Sequence, residues 1–246
     1  MAPEIPGMPT PLPPTDPGQG AHGSQPWYSR ADDAAFAKVA LGGAVAADAA
    51  GWTNAARHLR HYLGNSGKDL TISPDEMMTD DPIMKRRVDS FVTLTVQQIA
   101  FDPANHGRTV TFQQPWTEDH TFDQDTQGDW YFAVNAVHFT ASGVVTVRAP
   151  ETDGGQPSVV VDYKCYVFDR YNWDSSGPSP KGVELLGFDI SDKRMGGLHT
   201  AGYAKEFNMF GTSSVQHYEG VVPTHGAIDF PDPPDSRKGD RTDPTR

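Results

Sequence analysis

The chain has 246 residues and a formal net charge of -12 at pH 7, a length that suits one domain or two small ones. The acidic balance argues against nucleic-acid binding, because binding phosphates requires a basic face. The densest basic run, Lys85-Arg86-Arg87, is too short to supply one. With Cys165 as its single cysteine, the chain can form neither an intramolecular disulfide nor a multi-cysteine zinc site.

Residues 1–26 are rich in proline, glycine, threonine and glutamine, and they include Pro11-Leu12-Pro13-Pro14. Such a composition buries too little apolar surface to offset the entropy of ordering the backbone, so it predicts a disordered leader. Residues 231–246 predict a disordered tail for the same reason. We expect a protein partner or an export machinery to use the leader.

The beginning of the chain has neither the basic n-region nor the apolar h-region of a secretory signal. We therefore expect a protein that is cytoplasmic, or exported without a classical signal peptide. No run approaches 18 apolar residues, which predicts no transmembrane segment.

Residues 27–100 have a helical pattern. Ser29 is suited to be an N-cap, and Gly42-Gly43 predicts a break after the first helix. Apolar residues then recur at spacings of three and four, which predicts one amphipathic helix with its stripe at Val45, Ala49, Trp52, Ala56, Leu59 and Leu63. Capping signals at Ser73-Pro74-Asp75-Glu76 and at Asp81-Pro82 predict two further helices.

Residues 101–230 have mainly a strand pattern. Strands are predicted at 109–112, at 129–140 and 144–148 with a turn at Ala141-Ser142-Gly143 between them, at 158–168, at 182–190 and at 207–210. A short helix is predicted from Ser191 to Ala204. Helices first and strands later indicate an α+β fold, with an N-terminal helical subdomain packed on a mainly antiparallel sheet in a single domain, 27–230.

The densest polar cluster, Asp169-Arg170-Tyr171-Asn172-Trp173-Asp174, directly follows the strand at 158–168. Asp169 and Asp174 are candidate acid and base catalysts, and the four residues between them are candidate binding residues. Carboxylate and amide oxygens suit magnesium or calcium, but the spacing does not match an EF-hand loop, so we assign no metal ligands, and the sequence does not identify a cofactor. The alternative is a structural loop, in which the polar side chains bond their own turn and the aromatic rings pack beneath it.

His199 is a candidate general base if the fold brings it close to this loop, which the sequence does not decide. The alternative is a packing residue on a short helix. Gly196-Gly197 before it indicate a bend or a close backbone approach. His58 and His61 are three residues apart on a predicted helix, and its apolar stripe places both on the solvent side.

Several segments resemble a domain found in many actinobacterial proteins, some of which look like exported or toxin-associated modules. The resemblance covers about 150 residues and lies in the stretch 56–82 and in the segments Asp129-Trp130-Tyr131, 169–174, Met195-Gly196-Gly197-Leu198-His199 and Ala204-Lys205-Glu206-Phe207. The resemblance implies no particular activity, because these proteins have no known function that could be transferred to this chain.

A looser resemblance is to toxins of the colicin M type, which cleave the lipid-linked peptidoglycan precursor and carry Asp-x-Tyr-Asp followed by His-Arg. Asp169 and Tyr171 match the first and third positions of that motif. Asn172 replaces the second aspartate, and no His-Arg follows. The departure removes a carboxylate and the expected base, so we do not carry the mechanism over.

Three functions remain open on this basis. The first is an exported or injected effector or toxin of competition between bacteria, with a proline-rich leader and an active domain. The second is a noncatalytic binding or structural component of a cell-surface or particle assembly, with exposed aromatic rings such as Tyr131 and Trp173 as contact anchors. The third is a small-molecule or hydrolytic enzyme of the cytoplasm, which requires a polar concave pocket near Asp169.

Overall fold

The computed structural model describes residues 7–18, 20–117, 119–173, 182–185 and 188–234. These ranges contain the helices α1 (Ala31–Ala49), α2 (Thr53–Leu63), α3 (Pro74–Asp80), α4 (Pro82–Ala100), α5 (Gly128–Val134) and α6 (Asp192–Ala201). They also contain the strands β1 (Leu70–Thr71), β2 (Thr109–Gln113), β3 (His120–Thr121), β4 (Ala136–Arg148), β5 (Ser158–Tyr171), β6 (Gly182–Leu185), β7 (Phe188–Ser191), β8 (Phe207–Thr212) and β9 (Gln216–Val221).

The main sheet has the strand order β1-β8-β5-β4-β2, and β3 and β9 pair additionally with β4 and β5. Only the β1–β8 pair is parallel among its described pairings. The long strands β4 and β5 form its centre and pair from Arg148 opposite Ser158 to His138 opposite Phe168. β6 and β7 form a separate antiparallel pair.

The helices α3 and α4 cover one face of the sheet. The ring of Phe91 on α4 lies edge-on to that of Phe139 on β4, with 6.0 Å between centroids. The side chains of β5 that point toward the helices are inaccessible to solvent: Val159, Val161, Tyr163, Cys165 and Val167. Alternate residues of a strand share a face, and a buried face of this kind is what the sequence pattern predicted. The α+β architecture is confirmed.

The predicted helix starts at Ser73 and Asp81 are confirmed. The Ser73 hydroxyl accepts a hydrogen bond from the Glu76 N–H at 3.2 Å, and Pro74 occupies the first helical position. The Asp81 carboxylate accepts from the Ile83 N–H at 2.8 Å at the start of α4. Each side chain satisfies an N–H group that has no partner within its helix. Across the described ranges, no helix combines the length and apolarity that a membrane span requires.

The predicted break at Gly42-Gly43 is wrong. α1 continues through both glycines to Ala49, and a separate helix, α2, begins at Thr53. Gly43 and Ala44 are buried where α1 packs against α2, so the small residues there allow two helices to approach closely. The start of α1 also differs from the prediction. The helix begins after Arg30, and Ser29, the predicted N-cap, lies in a 3-10 turn that precedes it.

Three predictions for the strand region are also wrong. The segment from Gly128 to Val134 is the helix α5, and the predicted turn at Ala141-Ser142-Gly143 lies inside the continuous strand β4. A side chain at Gly143 would overlap the Asp162 carbonyl and the Phe112 ring. The small residues of this segment therefore make room for neighbouring strands. The predicted single strand at 182–190 is the hairpin β6–β7.

Candidate functional site

The two central strands separate at one end of the sheet. Their last pair is His138 with Phe168, and beyond it each strand continues with another partner. The first residues of β4, Ala136 and Val137, pair with β3, whereas β5 continues to Tyr171 beside β8. Asp169 is the first residue of β5 beyond the shared ladder. A carboxyl group is thus placed where two strands diverge, at the point where the predicted polar cluster begins.

The Asp169 side chain is half-buried. Burial raises the pKa of its carboxyl well above the usual range, and the nearby negative charges of Asp119 and Asp16 raise it further. A hydrogen bond from the Arg170 backbone N–H acts in the opposite direction and does not cancel these effects. The protonated form of Asp169 is therefore favoured at a pH where an exposed aspartate is ionised. Such a carboxyl has the chemistry of a general acid.

The side chain of Arg170 bonds to Glu206, the residue just before β8, and to Asn208 on β8. Its guanidinium donates to the Glu206 carboxylate at 3.1 Å and to the Asn208 side-chain oxygen at 3.2 Å. The Glu206 side chain is fully buried, and that of Arg170 is 21% exposed. This ion pair connects the end of β5 to the residue that precedes β8.

His199 belongs to the same hydrogen-bonded network. The Glu206 backbone N–H donates to its Nδ1 at 3.2 Å, and its Nε2 lies 3.0 Å from the carbonyl oxygen of Gly20. Because Nδ1 faces a donor, the ring proton must be on Nε2, which donates to Gly20. Both ring nitrogens are thus in use. The structure places no hydrogen bond or ion pair between the described side chains of His199 and Asp169.

The remaining predicted residues of the cluster have different surroundings. Tyr171 is buried and stacks on Phe207 with 5.0 Å between ring centroids, so it belongs to the core. The Asn172 amide donates to the Asp16 carboxylate at 3.3 Å. Trp173 packs edge-on against Tyr171, and its buried indole N–H has no hydrogen-bond partner among the residues that the structure describes. Asp174 lies outside the described residues.

The prediction that His58 faces solvent is wrong. Its side chain is inaccessible, and its ring lies 6.2 Å from that of Tyr171. Nδ1 contacts the Asn54 carbonyl at 2.6 Å, whereas the buried Nε2 has no hydrogen-bond partner within the described part of the chain. Burial lowers the pKa of His58 to about 4. The helical spacing gave the wrong exposed face because α2 is buried on two sides, by α1 and by α5.

The proline-rich leader crosses this end of the sheet, where the composition predicted disorder. Gly18 lies against Arg170 and Glu206 with φ +67°, and a Cβ there would overlap both side chains. Further along, the Gly23 N–H donates to the His199 carbonyl at 3.1 Å, and the Gln25 N–H donates to the Thr200 carbonyl at 2.8 Å. Residues 16–18 thus contact the end of β5, and residues 20–25 run over the last turn of α6.

Sequence reasoning missed Asp16 and Asp119 as neighbours of Asp169. Asp16 lies in the leader, and Asp119 lies on the other side of the separated strands, 3.4 Å from His138. Both residues are far from Asp169 along the chain, and nothing in the sequence pattern indicates that they are close to it in space. In the part of the chain that the structure describes, no three histidine, cysteine or acidic side chains form a group able to hold a metal ion. The raised pKa of the Asp169 carboxyl is the feature of this end of the sheet that suits proton transfer.

No family model matches this chain, and no curated protein matches it. Among solved structures, the chain is similar to PaeM, a colicin M-like bacteriocin produced by Pseudomonas aeruginosa, at 14% identity and a TM-score of 0.38. The similarity covers 70% of this chain and 52% of PaeM, so the chain spans about half the length of that protein. Values this low do not establish a common fold.

Proposed function

We propose that this protein is an exported or injected toxin-like effector of competition between bacteria, and that Asp169 is its general acid–base residue. The observation that carries the catalytic part is the Asp169 carboxyl with its raised pKa, at the point where β4 and β5 separate. The role in competition is supported by the motif resemblance and by the order of a proline-rich leader before a compact domain.

The chemistry follows from the protonation of Asp169. A protonated carboxyl group donates its proton to a leaving group and, once ionised, accepts a proton from an incoming nucleophile. The Arg170 side chain, fixed by Glu206, projects to the opposite face of β5 from Asp169, because consecutive residues of a strand alternate, so it stabilises the strand end and does not contact the carboxyl. Asp174 stays a candidate partner carboxylate. His199 acts in this scheme as a positioning residue, because its two nitrogens connect Glu206 to the leader.

The test is growth of a bacterial host that expresses the full chain in the cytoplasm or, behind a cleavable signal peptide, in the periplasm. We expect the wild-type chain to arrest growth in one compartment. Asp169→Asn removes the transferable proton but resembles the protonated carboxyl in shape and charge, so it should fold and lose toxicity. Asp162→Asn is the matched control on the same strand, because Asp162 pairs with His217 at the surface, and it should stay toxic.

Two outcomes contradict the proposal. Normal growth in both compartments, with folded wild-type protein in each, removes the toxin function. Toxicity of Asp169→Asn equal to that of the wild type removes the catalytic role of Asp169. The pH dependence of folding reports independently on this carboxyl. Since its pKa is raised in the folded state, its stabilising contribution is complete at low pH and is lost as pH rises, and Asp169→Asn should abolish that loss.

The second candidate function is a noncatalytic binding component of a cell-surface or particle assembly. It is favoured by exposed aromatic rings before α1, where Trp27 is 82% exposed and Tyr28 is 74% exposed. Aromatic side chains of this kind are common anchors of protein interfaces. Chemical cross-linking in the native cell, comparing the wild type with Trp27→Ser/Tyr28→Ser, tests it. A partner captured by both proteins equally would contradict the assignment of these rings as anchors.

A further inference from the structure

Residues 8–14 of the leader have a backbone that their own sequence restricts. Prolines at 9, 11, 13 and 14 fix φ near -65°. Met8, Thr10 and Leu12 each precede a proline, which excludes them from the helical region and favours extended conformations. Every residue of this segment is therefore directed toward polyproline II, a helix with three residues per turn.

The contacts of this segment repeat with the same period. The carbonyl oxygens of Pro9 and Leu12, three residues apart, both accept hydrogen bonds from the domain. The Pro9 carbonyl accepts from the Ser142 hydroxyl, and the Leu12 carbonyl accepts from the Trp116 indole N–H at 2.7 Å. A polyproline II peptide places carbonyls at this spacing on one side.

The burial of the side chains follows the period as well. Pro11 is buried and Met8 and Pro14 are half-buried, so the three positions i, i+3 and i+6 face the domain; Pro9, whose carbonyl is bonded to Ser142, is half-buried as well. Between them, Leu12 projects into solvent and is 85% exposed. A long apolar side chain that points outward beside a buried proline indicates that backbone geometry, and not general apolarity, determines how this segment lies.

The receiving surface is the face of the sheet opposite the helices. Ser142 and Tyr166 project from neighbouring positions of β4 and β5, and the Tyr166 hydroxyl lies 3.4 Å from the Pro9 carbonyl. Beside them the ring of Trp116 meets that of Phe168 edge-on at 6.4 Å between centroids. Aromatic rings combined with side-chain donors aimed at peptide carbonyls are the usual elements of a groove for proline-rich ligands.

We propose that this outer sheet face, formed by Trp116, Ser142, Tyr166 and Phe168, is a binding groove for proline-rich peptides in the polyproline II conformation. Residues 8–14 are its ligand within the same chain, and their docking is reversible, so the groove exchanges them for a proline-rich peptide supplied in trans. The inference is independent of the proposed catalytic role. A partner that recognises the leader must compete with this groove, which lies beside the contacts of Asp16 with Asn172 and of Gly18 with Arg170.

The test measures binding of a fluorescein-labelled synthetic peptide with the sequence of residues 7–17 to the full chain by fluorescence polarisation. In the wild type, the tethered segment competes at an effective concentration of the order of millimolar. Pro11→Asp breaks the intramolecular ligand, so this variant should bind the peptide at least tenfold more tightly than the wild type. Adding Trp116→Phe to it removes the indole donor, keeps an aromatic ring, and should weaken binding about two- to tenfold.

The control peptide has alanine at its four proline positions between 9 and 14 and should not bind, because it loses the preformed conformation. Absence of binding to folded Pro11→Asp, equal binding of the alanine peptide, or equal affinity of Pro11→Asp and the wild type would each overturn the proposal. If Pro11→Asp does not fold, Met8→Asp disrupts the same ligand at its half-buried end, and the same three outcomes apply to it.

Discussion

Replacing His58 with leucine should remove a strong pH dependence from the stability of the fold. His58 is inaccessible, and burial lowers the pKa of its imidazole from 6.5 to about 4 in the folded chain. In the unfolded chain the ring is exposed and titrates near 6.5. Between these two values the unfolded state binds a proton that the folded state excludes, so the folded state loses stability as the pH falls.

The magnitude follows from the displacement of the pKa. Each unit corresponds to about 1.4 kcal/mol, so a change from 6.5 to about 4 corresponds to about 3 kcal/mol between high and low pH. Most of this, about 2–3 kcal/mol, falls between pH 7.5 and pH 4.5. At pH 7.5 the leucine should change stability by about 1 kcal/mol or less, because it removes a hydrogen bond to Asn54 and also removes an unpartnered buried nitrogen.

Urea unfolding at the two pH values, followed by tryptophan fluorescence and far-UV circular dichroism, measures the difference. The wild type should lose about 2–3 kcal/mol more than His58→Leu on acidification. His61→Gln is the matched control on the same helix, because His61 is half-buried and its Nε2 contacts the Lys68 carbonyl; it should behave as the wild type does. An equal loss in wild type and His58→Leu would refute the reasoning.

Three further predictions concern stability measured by urea unfolding at neutral pH. Arg170→Met leaves the fully buried Glu206 carboxylate without its guanidinium and should cost about 3–5 kcal/mol, of which the double variant with Glu206→Gln should recover a part; a loss below about 1 kcal/mol would contradict this. Asp129→Ala removes the carboxylate that accepts from the first N–H groups of α2 at 2.8 and 3.1 Å and should cost about 1–2 kcal/mol, whereas Asp125→Ala nearby should be neutral. Gly143→Ala forces a side chain against a neighbouring strand and should cost about 1–3 kcal/mol, an effect that an open turn would not show.

The sequence by itself determined the elements whose cause is local. The capping residues Ser73 and Asp81 start their helices where predicted, because the side chain, the proline after it and the N–H groups that it satisfies lie within a few residues of one another. The alternation of apolar and polar residues along β5 also predicted the strand correctly, because a strand with one covered face must place apolar residues at every second position. These patterns suffice for the α+β class.

The errors arose where small or polar residues had a distant partner. Gly42-Gly43 and Ala141-Ser142-Gly143 were interpreted as breaks, yet they are places where another helix or strand approaches closely. The helix α5 was predicted as a strand from its aromatic content, although Asp129 near its start caps α2 across more than seventy residues. Local propensity is weak beside such tertiary contacts.

For the candidate site, the sequence located the Asp169 cluster and named Arg170 and Asn172, but it could not tell a core tyrosine from a binding one. Only the tertiary structure decided that Tyr171 belongs to the core, that His199 joins Glu206 to the leader, and that Asp16 and Asp119 lie near Asp169. Charge and burial depend on which segments meet in space. A one-dimensional pattern records the spacing of residues along the chain, and the pKa of a carboxyl is determined by neighbours that this spacing does not contain.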